Sequence, residues 1–222
     1  MTTTANPQGQ HALAPPRGAA IAGVIFSVLM IVSLGLVRYA IPANSTAAGA
    51  WLAETDRRRA VGLALDLVPF AGIAFLWFIG VLRNRLGELE DQFFATVFLG
   101  SGLLFVASLF GVAAVMRAVV DTLAAGKIGD ATFYFGNRMG DALFNVFAIK
   151  MAGVFIISTC TIGVRTAIMP RWVAIIGYTC AVVLLLVIAN WKWITFVFPL
   201  WMLLVSSYIL LAEFLPRSAR AT

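Results

Sequence analysis

Charge is what this sequence has least of. Asp, Glu, Lys and Arg together make up 12% of its 222 residues, about half of the roughly 25% found in soluble domains. So few charges cannot cover the surface of a water-soluble fold of this size. Histidine occurs once, at His11, which excludes bis-histidine haem ligation, an H-E-x-x-H centre and any zinc site needing several imidazoles. There is no C-x-x-C, and Cys160 and Cys180 both fall inside apolar runs, where they read as small hydrophobes and say nothing about redox compartment. Also missing are a phosphate-cradling glycine loop, a Ser/His/Asp set, paired carboxylates and a metal cluster. A soluble enzyme, a nucleic-acid-binding domain and a disordered chain are excluded on these grounds.

Apolar residues dominate instead. They make up 61% of the chain, and the mean hydropathy is +0.95. This is an integral membrane protein. The formal charge of +6 comes from Lys and Arg at the ends of apolar runs, where such residues anchor helices and meet lipid headgroups. Membrane lipids are therefore the expected partner and nucleic acid is not; other membrane-protein subunits or further copies of the chain are open as partners too. No cofactor is expected.

The pattern predicts an all-α polytopic membrane protein, a bundle of six transmembrane helices. Residues 1–17 read as a flexible polar tail and 18–212 as the membrane domain, with a short tail over 213–222. The expected spans are 18–37, 61–82, 93–116, 142–164, 172–188 and 193–212, each long enough for roughly 30 Å of hydrocarbon. The first run is longer than the roughly 7–15 residues of a signal-peptide core, which predicts a retained helix.

An even number of spans puts both termini on one side. The basic residues divide almost evenly between the two sides, so the positive-inside rule decides little. The short basic connectors, Arg83-Asn-Arg85 and Arg165 to Arg171, favour cytoplasmic termini in a bacterial inner membrane. The run Arg57-Arg58-Arg59 argues the other way.

Several stretches carry a resemblance: Phe75-Leu-Trp-Phe-Ile-Gly-Val-Leu-Arg-Asn-Arg-Leu86, Leu103 to Val115, Gly140-Asp-Ala-Leu-Phe144, Pro170-Arg-Trp172 and Phe198-Pro-Leu-Trp201. The chain resembles, over roughly residues 51–212, bacterial and largely actinobacterial six-span membrane proteins of the DUF4386 kind. That resemblance implies the six-helix bundle with its N-terminus inside. The family has no established activity, so the resemblance implies no catalytic residues.

Ionisable residues inside a span are the sharpest chemical signal, because each costs roughly 2.5–3.5 kcal/mol at a helix centre. Asp66 falls in the second expected span and Lys150 in the fourth, roughly 8 and 12 Å below the same boundary at 1.5 Å per residue. If those helices touch, the two can pair, with Asn145 and Asp141 beside them as a candidate polar centre. One reading is a buried salt bridge that fixes packing; the other is a site for a proton, ion or small substrate. Pro69 would kink the second helix near Asp66.

The third loop holds Arg117, Asp121, Lys127, Asp130, Arg138 and Asp141 around Phe133-Tyr-Phe135. It reads as an amphipathic segment at the interface, or as a lid over a cavity lined by Asp141, Asn145 and Lys150. Thr46–Arg59, with Trp51, invites the same two readings. Gly136-Asn-Arg-Met-Gly140 has G-x-x-x-G spacing, but its place in a loop argues against a helix-packing role. Gly100, Gly102, Ala107, Gly111 and Ala114 suit close packing of the third helix. The tryptophans mostly mark span ends.

Three functions remain open at this point. The expected one is a non-enzymatic membrane protein, either an accessory subunit of a complex or a homo-oligomeric lipid-contacting module. The alternatives are a small transporter or channel working through Asp66 and Lys150, and an intramembrane enzyme acting on lipid or quinone. Inverted repeats would favour transport, but Pro69 and Pro199 do not fall at matching positions.

Overall fold

The computed structural model describes residues 17–40, 54–86, 92–126, 129–165, 169–186 and 193–214. Residues 1–16 of the tail expected at 1–17, Trp51, most of the first loop and residues 215–222 lie outside the described residues. Every regular element among the described residues is helical. In chain order they are α1 (Arg17–Ala40), α2 (Thr55–Leu86), α3 (Gln92–Ala124), α4 (Asp130–Ala142), α5 (Ile149–Arg165), α6 (Arg171–Leu186) and α7 (Val197–Phe214). A π-turn over Leu143–Ala148 joins α4 to α5, and a 3-10 turn over Ile194–Phe196 opens α7.

Among the described residues, five helices are long and apolar enough to cross a membrane: Arg17–Ala40, Thr55–Arg83, Phe93–Ala124, Ala131–Arg165 and Ile194–Leu211. The chain is thus an all-α protein built for a membrane. The helix found at the expected span 172–188 is α6, apolar and described over 16 residues, with 187–188 outside the described residues.

Neighbouring helices form a ring in the order α7, α1, α2, α3, α5, α6, with α6 and α7 only lightly in contact. The middle is filled by aromatic rings. Phe26 of α1, Phe75 and Phe78 of α2, Phe98 and Phe105 of α3, Phe155 of α5 and Phe198 of α7 are all nearly or fully buried. Centroid separations of 4.7 Å for Phe26–Phe75, 4.9 Å for Phe75–Phe155 and 4.7 Å for Phe105–Phe198 lie in the range where tilted and edge-on pairs add about 0.5–1.5 kcal/mol to area burial.

Small residues set how closely the helices approach. Gly23 of α1 faces Ser206 of α7, and a side chain there would overlap the Ser206 hydroxyl. A Cβ on Gly153 of α5 would lie 3.0 Å from Leu185 of α6, and one on Gly177 of α6 would strike Cys160. Without apolar driving force between helices in lipid, such close backbone approach is the main source of association.

Two departures from the sequence reading concern the third loop. First, α3 does not stop at Met116 but runs on to Ala124, taking Arg117 and Asp121 onto a helix. Second, Asp130–Ala142 is not a surface loop: it is α4, continuous through the π-turn with α5, so the fourth expected span is the lower part of one 35-residue rod. The G-x-x-x-G motif therefore sits on a helix and does pack. A Cβ at Gly136 would collide with Val119, and one at Gly140 would come within 2.9 Å of Met116 Sδ. The glycines lock α4 against the extended end of α3, where Phe133, Val119, Val120, Val61, Leu65 and Ala40 form a second small core.

Candidate functional site

Charged side chains mark two levels of the bundle. Arg17, Arg83, Arg165 and Arg171 stand at one end, with Arg165 stacked over the Phe94 ring at 4.7 Å. Arg38, Asp66 and Arg117 stand at the other, with Arg38 over the Trp193 ring at 5.5 Å. Arg17 and Arg38 are 21 residues apart on α1, about 32 Å of helix, which matches roughly 30 Å of hydrocarbon.

Asp66 belongs to the second level. Its Oδ1 accepts a hydrogen bond from Arg117 Nη1 at 2.9 Å, and Arg117 Nε lies 3.4 Å from Asp121 Oδ2 one turn further along α3. Arg117 is the first charged residue of α3, where its uninterrupted apolar run ends, and Val119, Val120 and Leu123 carry the apolar face on beyond it. All three side chains remain substantially exposed: 63% for Asp66, 46% for Arg117 and 66% for Asp121.

Lys150 has a different partner. It is half-buried on the first turn of α5, and its Nζ donates to the carbonyls of Leu184 at 2.9 Å and Leu185 at 2.7 Å. Those carbonyls lie in the last described turn of α6. The ammonium ties the start of α5 to the neighbouring helix.

The expected pairing of Asp66 with Lys150 is therefore corrected. Their helices do touch, through Phe75 and Phe155, but Asp66 precedes Phe75 by nine residues and Lys150 precedes Phe155 by five. At 100° per residue these are rotations of roughly 180° and 140° away from the contact face. Asp141 is exposed near the end of α4, and Asn145 is half-buried on the π-turn. A small internal space of about 20 Å³ lies close by, lined by their neighbours Phe144 and Ile149 with Thr195 and Phe198 and by none of Asp141, Asn145 and Lys150.

The larger concavity is on the outside. A groove of about 520 Å³ runs between α2 and α3, within the roughly 300–1,000 Å³ range of small-molecule sites. On α3 its wall is one helical stripe, Phe110, Ala113, Ala114 and Arg117, spaced i, i+3, i+4 and i+7. On α2 it is Leu65, Asp66, Pro69 and Phe70. Gly72 lets the Phe110 ring rest against the α2 backbone at the inner end, and the Asp66–Arg117 pair bridges the outer end.

Pro69 contributes by what it lacks. With no amide hydrogen, it gives the Leu65 carbonyl nothing to accept from. One residue before, the Ala64 carbonyl accepts from Ser33 Oγ of α1 at 2.8 Å, so α1 supports the ladder where proline weakens it. Arg117 as the partner of Asp66 was not found from the sequence. The clue was available: Val119, Val120 and Leu123 continue the apolar period of α3 past Met116, and Arg117 and Asp121 stand four apart, as a helical ion pair requires.

Compared with known proteins, the chain matches no family model, no curated protein and no solved structure.

Proposed function

We propose that this chain is a non-enzymatic, six-span membrane protein that works by contacting lipid, either as a homo-oligomer or as an accessory subunit of a membrane complex. The observation that carries this reading is the groove between α2 and α3. It is open to the surroundings, apolar along its length and charged only at the headgroup level, which is the polarity profile of a phospholipid.

Three further features fit. The aromatic core fills the axis along which a solute would have to pass. Asp66 and Lys150 are engaged separately, at a headgroup-level ion pair and at two carbonyls of α6, and do not form a shared relay. Antiparallel packing of α6 along α5, with Lys150 holding its Leu184 and Leu185 carbonyls, suits α6 as the fifth of the six spans. The short basic connectors support cytoplasmic termini in a bacterial inner membrane, the orientation that the resemblance to DUF4386-type proteins implies.

Native mass spectrometry of the protein extracted gently from its own membrane tests the proposal. Discrete lipid masses on a monomer or homo-oligomer, or co-purifying polypeptides in fixed ratio, are the expected results. Solute flux in proteoliposomes that disappears in Lys150→Met, with the fold intact, would overturn it.

A further inference from the structure

The charges at the mouth of the groove say what kind of headgroup it suits. One guanidinium stands between two carboxylates, so Asp66, Arg117 and Asp121 together carry one net negative charge. An anionic headgroup would meet that negative charge. A headgroup with both a phosphate and an ammonium finds a complement for each: Arg117 for the phosphate, as guanidinium suits phosphate oxygens, and the two exposed carboxylates for the ammonium. A primary ammonium has three hydrogens to donate, whereas a quaternary ammonium has none.

The groove below fits the rest of such a molecule. From Arg117 to Phe110 is seven residues of α3, about 10 Å into the hydrocarbon. Ala113 and Ala114 keep the floor low, while the Phe70 and Phe110 rings, 63% and 37% exposed, form walls for an acyl chain.

We infer that the groove between α2 and α3 binds a zwitterionic phospholipid bearing a primary ammonium, of the phosphatidylethanolamine type, with its headgroup on Asp66, Arg117 and Asp121. This rests on the lipid-contacting reading above and narrows it to one site and one lipid class.

The experiment is native mass spectrometry of the full-length protein in detergent, titrated with dioleoyl phosphatidylethanolamine, phosphatidylglycerol and phosphatidylcholine. The expected result is one tight phosphatidylethanolamine adduct, retained about tenfold better than either of the others, the effect of one or two charge-assisted hydrogen bonds. Asp66→Asn with Asp121→Asn leaves Arg117 uncompensated and should invert the order in favour of phosphatidylglycerol. Asp121→Asn alone, at an exposed position, should weaken the preference without touching the fold. Ala114→Trp fills the groove from an exposed position and should remove the adduct. Equal retention of phosphatidylcholine, or an unchanged preference in the double variant, overturns the headgroup assignment. Undiminished adducts in Ala114→Trp overturn the site while leaving lipid contact elsewhere intact. Retention of no lipid of any class by the unmodified protein overturns both readings.

Discussion

Lys150 of α5 holds the Leu185 carbonyl of α6, with Nζ 2.7 Å from that oxygen. An ammonium in a membrane span is normally read as half of an ion pair or part of a transport path. Here it donates to two backbone carbonyls of another helix. The described part of α6 is 16 residues long, about 24 Å at 1.5 Å per residue, and these carbonyls lie in its last described turn. Left unpaired in hydrocarbon, such groups are costly.

Removing the ammonium should therefore loosen α6 before anything else. Lys150→Met is expected to cost about 1.5–3 kcal/mol, the usual worth of hydrogen bonds to a charged group. Hydrogen exchange would rise first over residues 181–186. Lys150→Arg should retain most of the protection. Uniform exchange along α6 in both variants would contradict the helix-tying role.

Asp66 and Arg117 should show a measurable but modest coupling. Both are well exposed, so a double-mutant cycle with Asp66→Asn and Arg117→Gln, read by denaturant unfolding in detergent, should give about 1 kcal/mol or less. The reciprocal exchange of Asp66 with Lys150 should give no rescue, because those side chains point away from each other.

The α4 glycines are expected to tolerate no branching. Gly136→Val drives a side chain into Val119, and Gly140→Val drives one into Met116. Overpacking of this kind costs about 1–3 kcal/mol. Loss of a disulfide engineered between α3 and α4 beyond Arg117, with α5 and α6 still protected from exchange, would report that α4 had lifted away.

Ser206 offers the opposite outcome. Its hydroxyl is fully buried and without a hydrogen-bond partner, so Ser206→Ala should be neutral or stabilising. Gly23→Ala should destabilise by about 1–3 kcal/mol against Ser206. Combined with Ser206→Ala it should cost less, since the new methyl would then meet a methyl and no hydroxyl. Thermal unfolding of the three variants decides this.

How much of this was legible in the sequence follows from what each feature depends on. The apolar runs were visible because burial in lipid needs about twenty consecutive apolar residues and nothing else. α1, α2, α3 and α7 lie where those runs are. The partners of Asp66 and Lys150 were not visible, because they depend on helix rotation and on how a neighbouring helix packs. Reading Arg117 onwards as loop hid the ion pair, since charge alone was taken to end the helix. The Gly136–Gly140 motif was misplaced for the same reason: Phe133, Gly136 and Gly140 already stood at helical spacing, but the surrounding charges suggested solvent.

The π-turn over Leu143–Ala148 sets the phase between the two halves of the fourth rod. A π-turn uses an extra residue per turn, so α4 and α5 share an axis without sharing a register. Above it, Gly136 and Gly140 are dialled onto α3; below it, Gly153 is dialled onto α6. Winding the same six residues into plain α geometry, with nothing deleted, would swing all of α4 through about 100°. The glycine face would then leave Met116 and Val119 while everything from Ile149 onwards stayed in place. The rod thus behaves as two gears on one shaft, and straightening that one turn is enough to slip them.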